Sequence, residues 1–114
     1  MVVFGKDRQF LLTVGAAAEI SALCPDSDLG RIGEILGAKY DTSLLSIAKV
    51  IVALNKGYEL RQKFDTGESG EPLTVEMVLA LDMQDLAALQ REALRAFARD
   101  TKTTVKTQSK KKTD

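Results

Sequence analysis

The sequence predicts a mainly α-helical domain with an N-terminal β-hairpin and a disordered basic tail. Three observations predict it. Apolar residues recur at helical spacing through most of residues 16–100. Two short β-rich runs stand at the N-terminus. Residues 101–114 contain one hydrophobe, Val105, too little apolar surface to offset the entropy of ordering.

The hairpin is expected from "VVF", residues 2–4, and "QFLLTV", residues 9–14, with the polar stretch "GKDR", residues 5–8, between them. Alternation puts Phe10, Leu12 and Val14 on one face of the second run. A lone two-stranded hairpin is only marginally stable, so its apolar face must pack on the helices or on a partner. The pattern turns helical at Gly15. "AAAEISALC", residues 16–24, is rich in the best helix former and stops at Pro25. Asp26, Ser27 and Asp28 then offer N-caps for a second helix in "DLGRIGEILG", with Leu29, Ile32, Ile35 and Leu36 on one side and Gly37 as its stop.

The longest element is expected from Ser43 to about Phe64, after possible caps at Asp41, Thr42 and Ser43. Apolar residues at 44, 47, 48, 51, 54 and 58, widened by Leu45, Val50, Val52 and Ala53, cover it almost all round, the mark of a central buried helix. Its second half, "KGYELRQKF", is amphipathic, and Gly57 is a point where it is expected to weaken or kink. "DTGESGEP", residues 65–72, is the clearest loop. Two helical stretches follow, residues 73–81 and 82–100, with Thr74 and Asp82 as caps and a stripe of Leu86, Leu89, Ala93 and Phe97. The chain thus divides into one body, residues 1–100, and a tail, residues 101–114. Of the 16 Lys and Arg residues five lie in the tail, and of the 16 acids one, so the body keeps 11 basic and 15 acidic residues. A mildly acidic body repels a phosphate backbone, which makes nucleic acid a poor partner for it.

Chemistry is constrained mainly by what is missing. There is no His, which removes His-based triads, His general bases and most zinc sites. The one cysteine, Cys24, forms no internal disulfide and fits a reducing compartment. It has no basic neighbour in sequence to lower its pKa, so it reads as a small buried hydrophobe. Glycines 30, 33 and 37 lack a dinucleotide or P-loop pattern, and "DSD" at 26–28 lacks the Gly and Glu of a calcium loop. No cofactor, metal or catalytic residue is expected. No apolar run reaches the roughly 20 residues that cross a bilayer, and the N-terminus lacks a signal-peptide pattern; a cytosolic protein is expected.

Taken together, "VVFGKDRQFLLTVGAAAEISAL", "PDSDLGRIGEILG", "LLSIAKVIVALNKGYE" and "EPLTVEMVLALDMQDLAALQREALRAF" resemble, in order and size, the tail assembly chaperones of long-tailed bacteriophages and related prophages. The resemblance covers residues 1 to about 112 and rests on element order rather than on an invariant signature. It implies a non-catalytic protein of the bacterial host cytoplasm that is absent from the mature virion. Such a protein binds the long helical tape-measure protein and assists tail-tube assembly. Many of these chaperones are also made in a frameshift-extended form that links to the tail-tube protein. Lys110, Lys111 and Lys112 imply an A-rich message and are the candidate frameshift junction. A solubilising lysine tail is the plainer reading of the same run, and the two are compatible.

Candidate partner-binding residues are Met77, Met83, Leu86, Leu89 and Phe97, an adaptable Met-containing helical surface, each of which also suits a place in the core. Phe10 and Leu12 on the hairpin are the second candidate surface, since an unpaired strand edge invites another chain, including a second copy. The alternative function is a small helical DNA-binding regulator using residues 16–37. Their spacing resembles a helix-turn-helix, but the would-be reading helix offers a single Arg.

Overall fold

The computed structural model describes residues 1–36 and 44–113, with side chains described over 1–35 and 44–99. It is a mainly helical domain: hairpin strands β1 (Val2–Val3) and β2 (Lys6–Asp7), then α1 (Val14–Leu23), α2 (Gly33–Leu36), α3 (Leu44–Thr66), α4 (Val75–Leu79) and α5 (Met83–Thr113).

The hairpin forms, but earlier and tighter than the sequence suggests. Val2 pairs with Asp7 and Val3 with Lys6, antiparallel. The reversal is Phe4–Gly5, with φ of 51° and 78°. Positive φ at both central residues matches the twist of a two-residue hairpin turn. Lys6 and Asp7, expected in the turn, therefore become strand. Residues 9–13 form no strand and instead lie against the helices. Their backbone finds partners there: Leu11 N–H donates to the Leu54 carbonyl at 3.1 Å, and Arg99 donates to the Phe10 carbonyl at 3.1 Å.

Thr13 caps α1, its hydroxyl accepting from Ala16 N–H at 3.1 Å, and Ala16 and Ile20 face inward. Pro25 ends the helix run as expected. The second helix expected over 28–37 is shorter. Asp26 and Ser27 take left-handed φ near 55°, and two 3-10 turns (Pro25–Ser27 and Leu29–Arg31) precede the four residues of α2. Asp28 caps the second turn through Gly30 N–H. Gly37 as a stop, and Asp41, Thr42 and Ser43 as caps, lie outside the described residues.

α3 is the central helix that its all-round apolar pattern predicts. It packs against α1, α2, α4 and α5, and it buries Ile47, Ala48, Val50, Ile51, Ala53 and Leu54. It runs unbroken through Gly57. The glycine serves close approach instead: a Cβ there would stand 2.8 Å from both the Leu11 carbonyl oxygen and Thr13 Oγ1. Thr74 caps α4 and Asp82 caps α5, each side chain accepting the backbone N–H three residues on. The buried stripe of α5 is Leu86, Leu89, Ala93, Ala96 and Phe97. The boundary expected at residue 100 between body and tail falls inside α5. The disorder expected over 101–114, and the junction at Lys110, Lys111 and Lys112, concern residues whose side chains lie outside the described ones.

A polar tie closes the body between its ends. Asn55, fully buried in α3, accepts Leu73 N–H at 2.8 Å and donates to the Gln9 carbonyl at 2.9 Å. Beside it, buried Glu59 accepts Gly70 N–H at 3.0 Å, and Arg8 donates to the Glu71 carbonyl. The loop after α3 is thereby held against the segment that follows the hairpin.

Candidate functional site

Seven residues are the sequence's partner-binding candidates, and the structure separates them. Phe10, Leu86, Leu89 and Phe97 are buried in the core. Leu12 and Met77 are half-buried and pack on the edge of that core. Met83, at the start of α5, is 52% exposed. The core role, open to each of these residues in the sequence, is what the structure gives the first four: a side chain with under a tenth of its surface exposed has little left to offer a partner.

Among the described residues the two most exposed large apolar side chains, Val14 and Phe64, lie elsewhere, with Leu60 beside them. Val14 is 89% exposed, Phe64 81% and Leu60 50%. All three line one groove of about 410 Å³, with Leu11, Leu12 and Arg61 as walls and Gly57 in its lining. The groove exists because of Gly57. With no side chain there, residues 11–13 lie directly on α3, and Val14 opens α1 beside Leu60 and Phe64. A smaller hollow of about 170 Å³ continues it between α1 and α3, lined by Ala16, Glu19, Ala53, Lys56 and Leu60 among others.

The rim is charged and mostly paired. Lys56 meets Glu19 of α1 at 3.0 Å, and Arg61 meets Asp65 at 3.0 Å. Both pairs are solvent-exposed, so they fix side-chain positions more than they stabilise the fold. A contiguous apolar surface rimmed by polar groups is the usual form of a protein-docking site. Leu60 and Phe64 escape sequence reasoning because they fall off the 44–47–48–51–54–58 stripe. The signal for them was the change from an all-round apolar pattern to an amphipathic one after Asn55.

Other possible sites are weaker. Among the described residues, no group of three or more acidic, Cys or His side chains is placed to hold a metal ion. No helix of the described residues is long and apolar enough to cross a membrane. In the 16–37 segment the single Arg of the would-be reading helix, Arg31, is held by Glu34 at 2.6 Å and by Asp26 at 2.9 Å. Its hydrogen bonds pull the Glu34 carboxyl below its ordinary range.

Cys24 is buried under the end of α1. Burial, and then the charges of Asp28 and Glu34, push its thiol above the ordinary value of 9.0. The neutral thiol is the form the fold favours. Its contribution to stability is complete below the unfolded thiol's pKa and is lost as pH rises through the folded one. A disulfide reagent at pH 7 is therefore expected to leave Cys24 unmodified in the native chain and to react fully in denaturant. Rapid reaction of the native protein would contradict a buried, inert thiol.

Fold and groove define a class by architecture: a small α-helical domain with an N-terminal hairpin and an exposed apolar groove along its central helix. No family model, curated protein or solved structure matches the chain.

Proposed function

We propose that the protein is a non-catalytic tail assembly chaperone of a long-tailed phage or prophage, which binds the helical tape-measure protein and assists tail-tube assembly. The observation that supports this reading is the groove formed by Val14, Leu60 and Phe64. An amphipathic helix that aggregates when left bare needs a carrier with exposed apolar surface of its own, and helix-in-groove docking is the mode such a surface suits. The order and size of the elements, which resemble those chaperones, support it from the side of sequence. In this reading the protein acts in the host cytoplasm and leaves before the virion is complete. A frameshift at Lys110–Lys112 supplies a longer form that reaches the tail-tube protein. Self-association through the hairpin, where Val2 and Phe4 are exposed, belongs to the same picture.

The test is co-expression with the tape-measure protein encoded beside it. The proposal predicts that the tape-measure protein becomes more soluble and co-purifies with this chain. Unchanged solubility with no complex contradicts it.

A further inference from the structure

The exposed side of α3 carries a pattern that the core stripe hides. Lys49, Lys56 and Lys63 are all exposed and stand seven residues apart. Seven residues are close to two helical turns, so the three ammonium groups form one row along the rod, about 21 Å from first to last. On the same side, among and flanking them, lie Leu45 (43% exposed), Val52 (half-buried), Leu60 and Phe64. The set 45, 49, 52, 56, 60, 63 recurs at spacings of three and four, which is one face of a helix. Among the described residues only Lys56 of the three has an ion pair, with Glu19 of α1. The one carboxylate of α3 bordering the row, Glu59, is buried and turned to Gly70. At its C-terminal end the row runs into the groove through Leu60 and Phe64.

We infer that this face docks an acidic amphipathic helix, one with Asp or Glu at seven-residue intervals beside an apolar seam. Charge complementarity chooses the sign of the partner: three cations in line, on a body whose net charge is otherwise negative, call for carboxylates in line. The seven-residue spacing chooses its form. A second helix laid along α3 presents side chains at that repeat, with apolar residues meeting in the seam and opposite charges flanking it. A lipid surface would also accept a basic amphipathic face, but it has no reason to demand a repeat. The inference rests on the proposed function in taking a helical client as the occupant, and it adds the client's charge and the face it uses.

The experiment uses the full chain and two labelled synthetic helices of 21 residues with the same Leu seam, one with Glu and one with Lys at the seven-residue flanking positions. Fluorescence anisotropy reads binding to the wild type and to the triple variant Lys49→Glu, Lys56→Glu, Lys63→Glu. The wild type is expected to bind the Glu helix about tenfold more tightly than the Lys helix, and less tightly as salt is raised. The triple variant is expected to reverse the preference, a gain that a misfolded protein cannot show. Equal affinity for the two helices overturns the inference. So does binding to phosphatidylserine vesicles with none to the Glu helix, which would make the face a lipid surface. The two claims separate in the same variant. If the wild type captures the tape-measure protein and the triple variant does so equally well, the lysine row is not the docking face and the function stands. If neither captures it while the Glu helix binds with the expected reversal, the row stands and the function falls.

Discussion

Asn55→Ala is expected to lower the unfolding free energy by about 2–5 kcal/mol, read as a fall in the urea midpoint at unchanged slope. The amide is fully buried and makes two hydrogen bonds across the body, accepting from Leu73 N–H at 2.8 Å and donating to the Gln9 carbonyl at 2.9 Å. Alanine leaves the buried Leu73 N–H and the part-buried Gln9 carbonyl without these partners, at a cost of up to about 1–3 kcal/mol each, and removes packed side-chain volume besides. Asn55→Asp separates the two bonds. A carboxylate still accepts from Leu73, but it meets the Gln9 carbonyl with no hydrogen to give and carries a buried charge, so it is expected to be at least as damaging. A loss under 1 kcal/mol for the alanine variant would mean that water or a backbone shift replaces both bonds.

Gly57→Ala is expected to destabilise by about 1–3 kcal/mol, and the sign is what matters. By helix propensity alone, Gly to Ala in a helix interior stabilises by about 1 kcal/mol. Packing opposes this. The new Cβ would stand 2.8 Å from the Leu11 carbonyl oxygen and 2.8 Å from Thr13 Oγ1, and 3.3 Å from Ala16 Cβ. None of these can withdraw easily. Leu11 N–H is bonded to Leu54, its carbonyl accepts from Thr13 N–H, and Thr13 Oγ1 caps α1. Relief requires residues 11–13 to lift off α3, which opens the groove and weakens the cap. Gly57→Ala is therefore also expected to weaken partner capture. An increase in the urea midpoint would show that residues 11–13 do not rest on α3 as described.

Elements with local causes were legible in the sequence. Pro25 stops α1, Thr74 and Asp82 cap the helices that follow them, and the Leu86, Leu89, Ala93, Phe97 stripe packs inward as its spacing demands. The apolar girdle of residues 44–54 announces a central helix, and α3 is one. What the sequence hid depends on distant partners. Nothing local says that Phe4 will take a left-handed φ, so Lys6 and Asp7 looked like turn rather than strand. Gly57 looked like a weak point, because the chain that needs its missing side chain lies more than 40 residues earlier. Nothing local marks Asn55 as a tie, because Gln9 and Leu73 approach it from separate segments. The candidate site was hidden for a related reason. Hydrophobic periodicity finds the side of a helix that goes inward, and it ranked Leu86, Leu89 and Phe97 above Leu60 and Phe64. A docking surface is made of the apolar residues that the core leaves out.

In the proposed function Val14, Leu60 and Phe64 form a working docking surface rather than incidental exposure. It is tested most directly by capture of the co-expressed tape-measure protein by two chains, the wild type and Leu60→Ser, Phe64→Ser. Both positions are exposed, so the double variant is expected to keep its helical circular dichroism and its urea midpoint to within about 1 kcal/mol. The wild type is expected to retain the tape-measure protein through affinity purification and gel filtration, and the folded double variant to lose at least about nine-tenths of it, the effect of a hot-spot pair. Equal retention by both chains would mean that the partner binds somewhere other than the groove and would overturn its role as the docking surface.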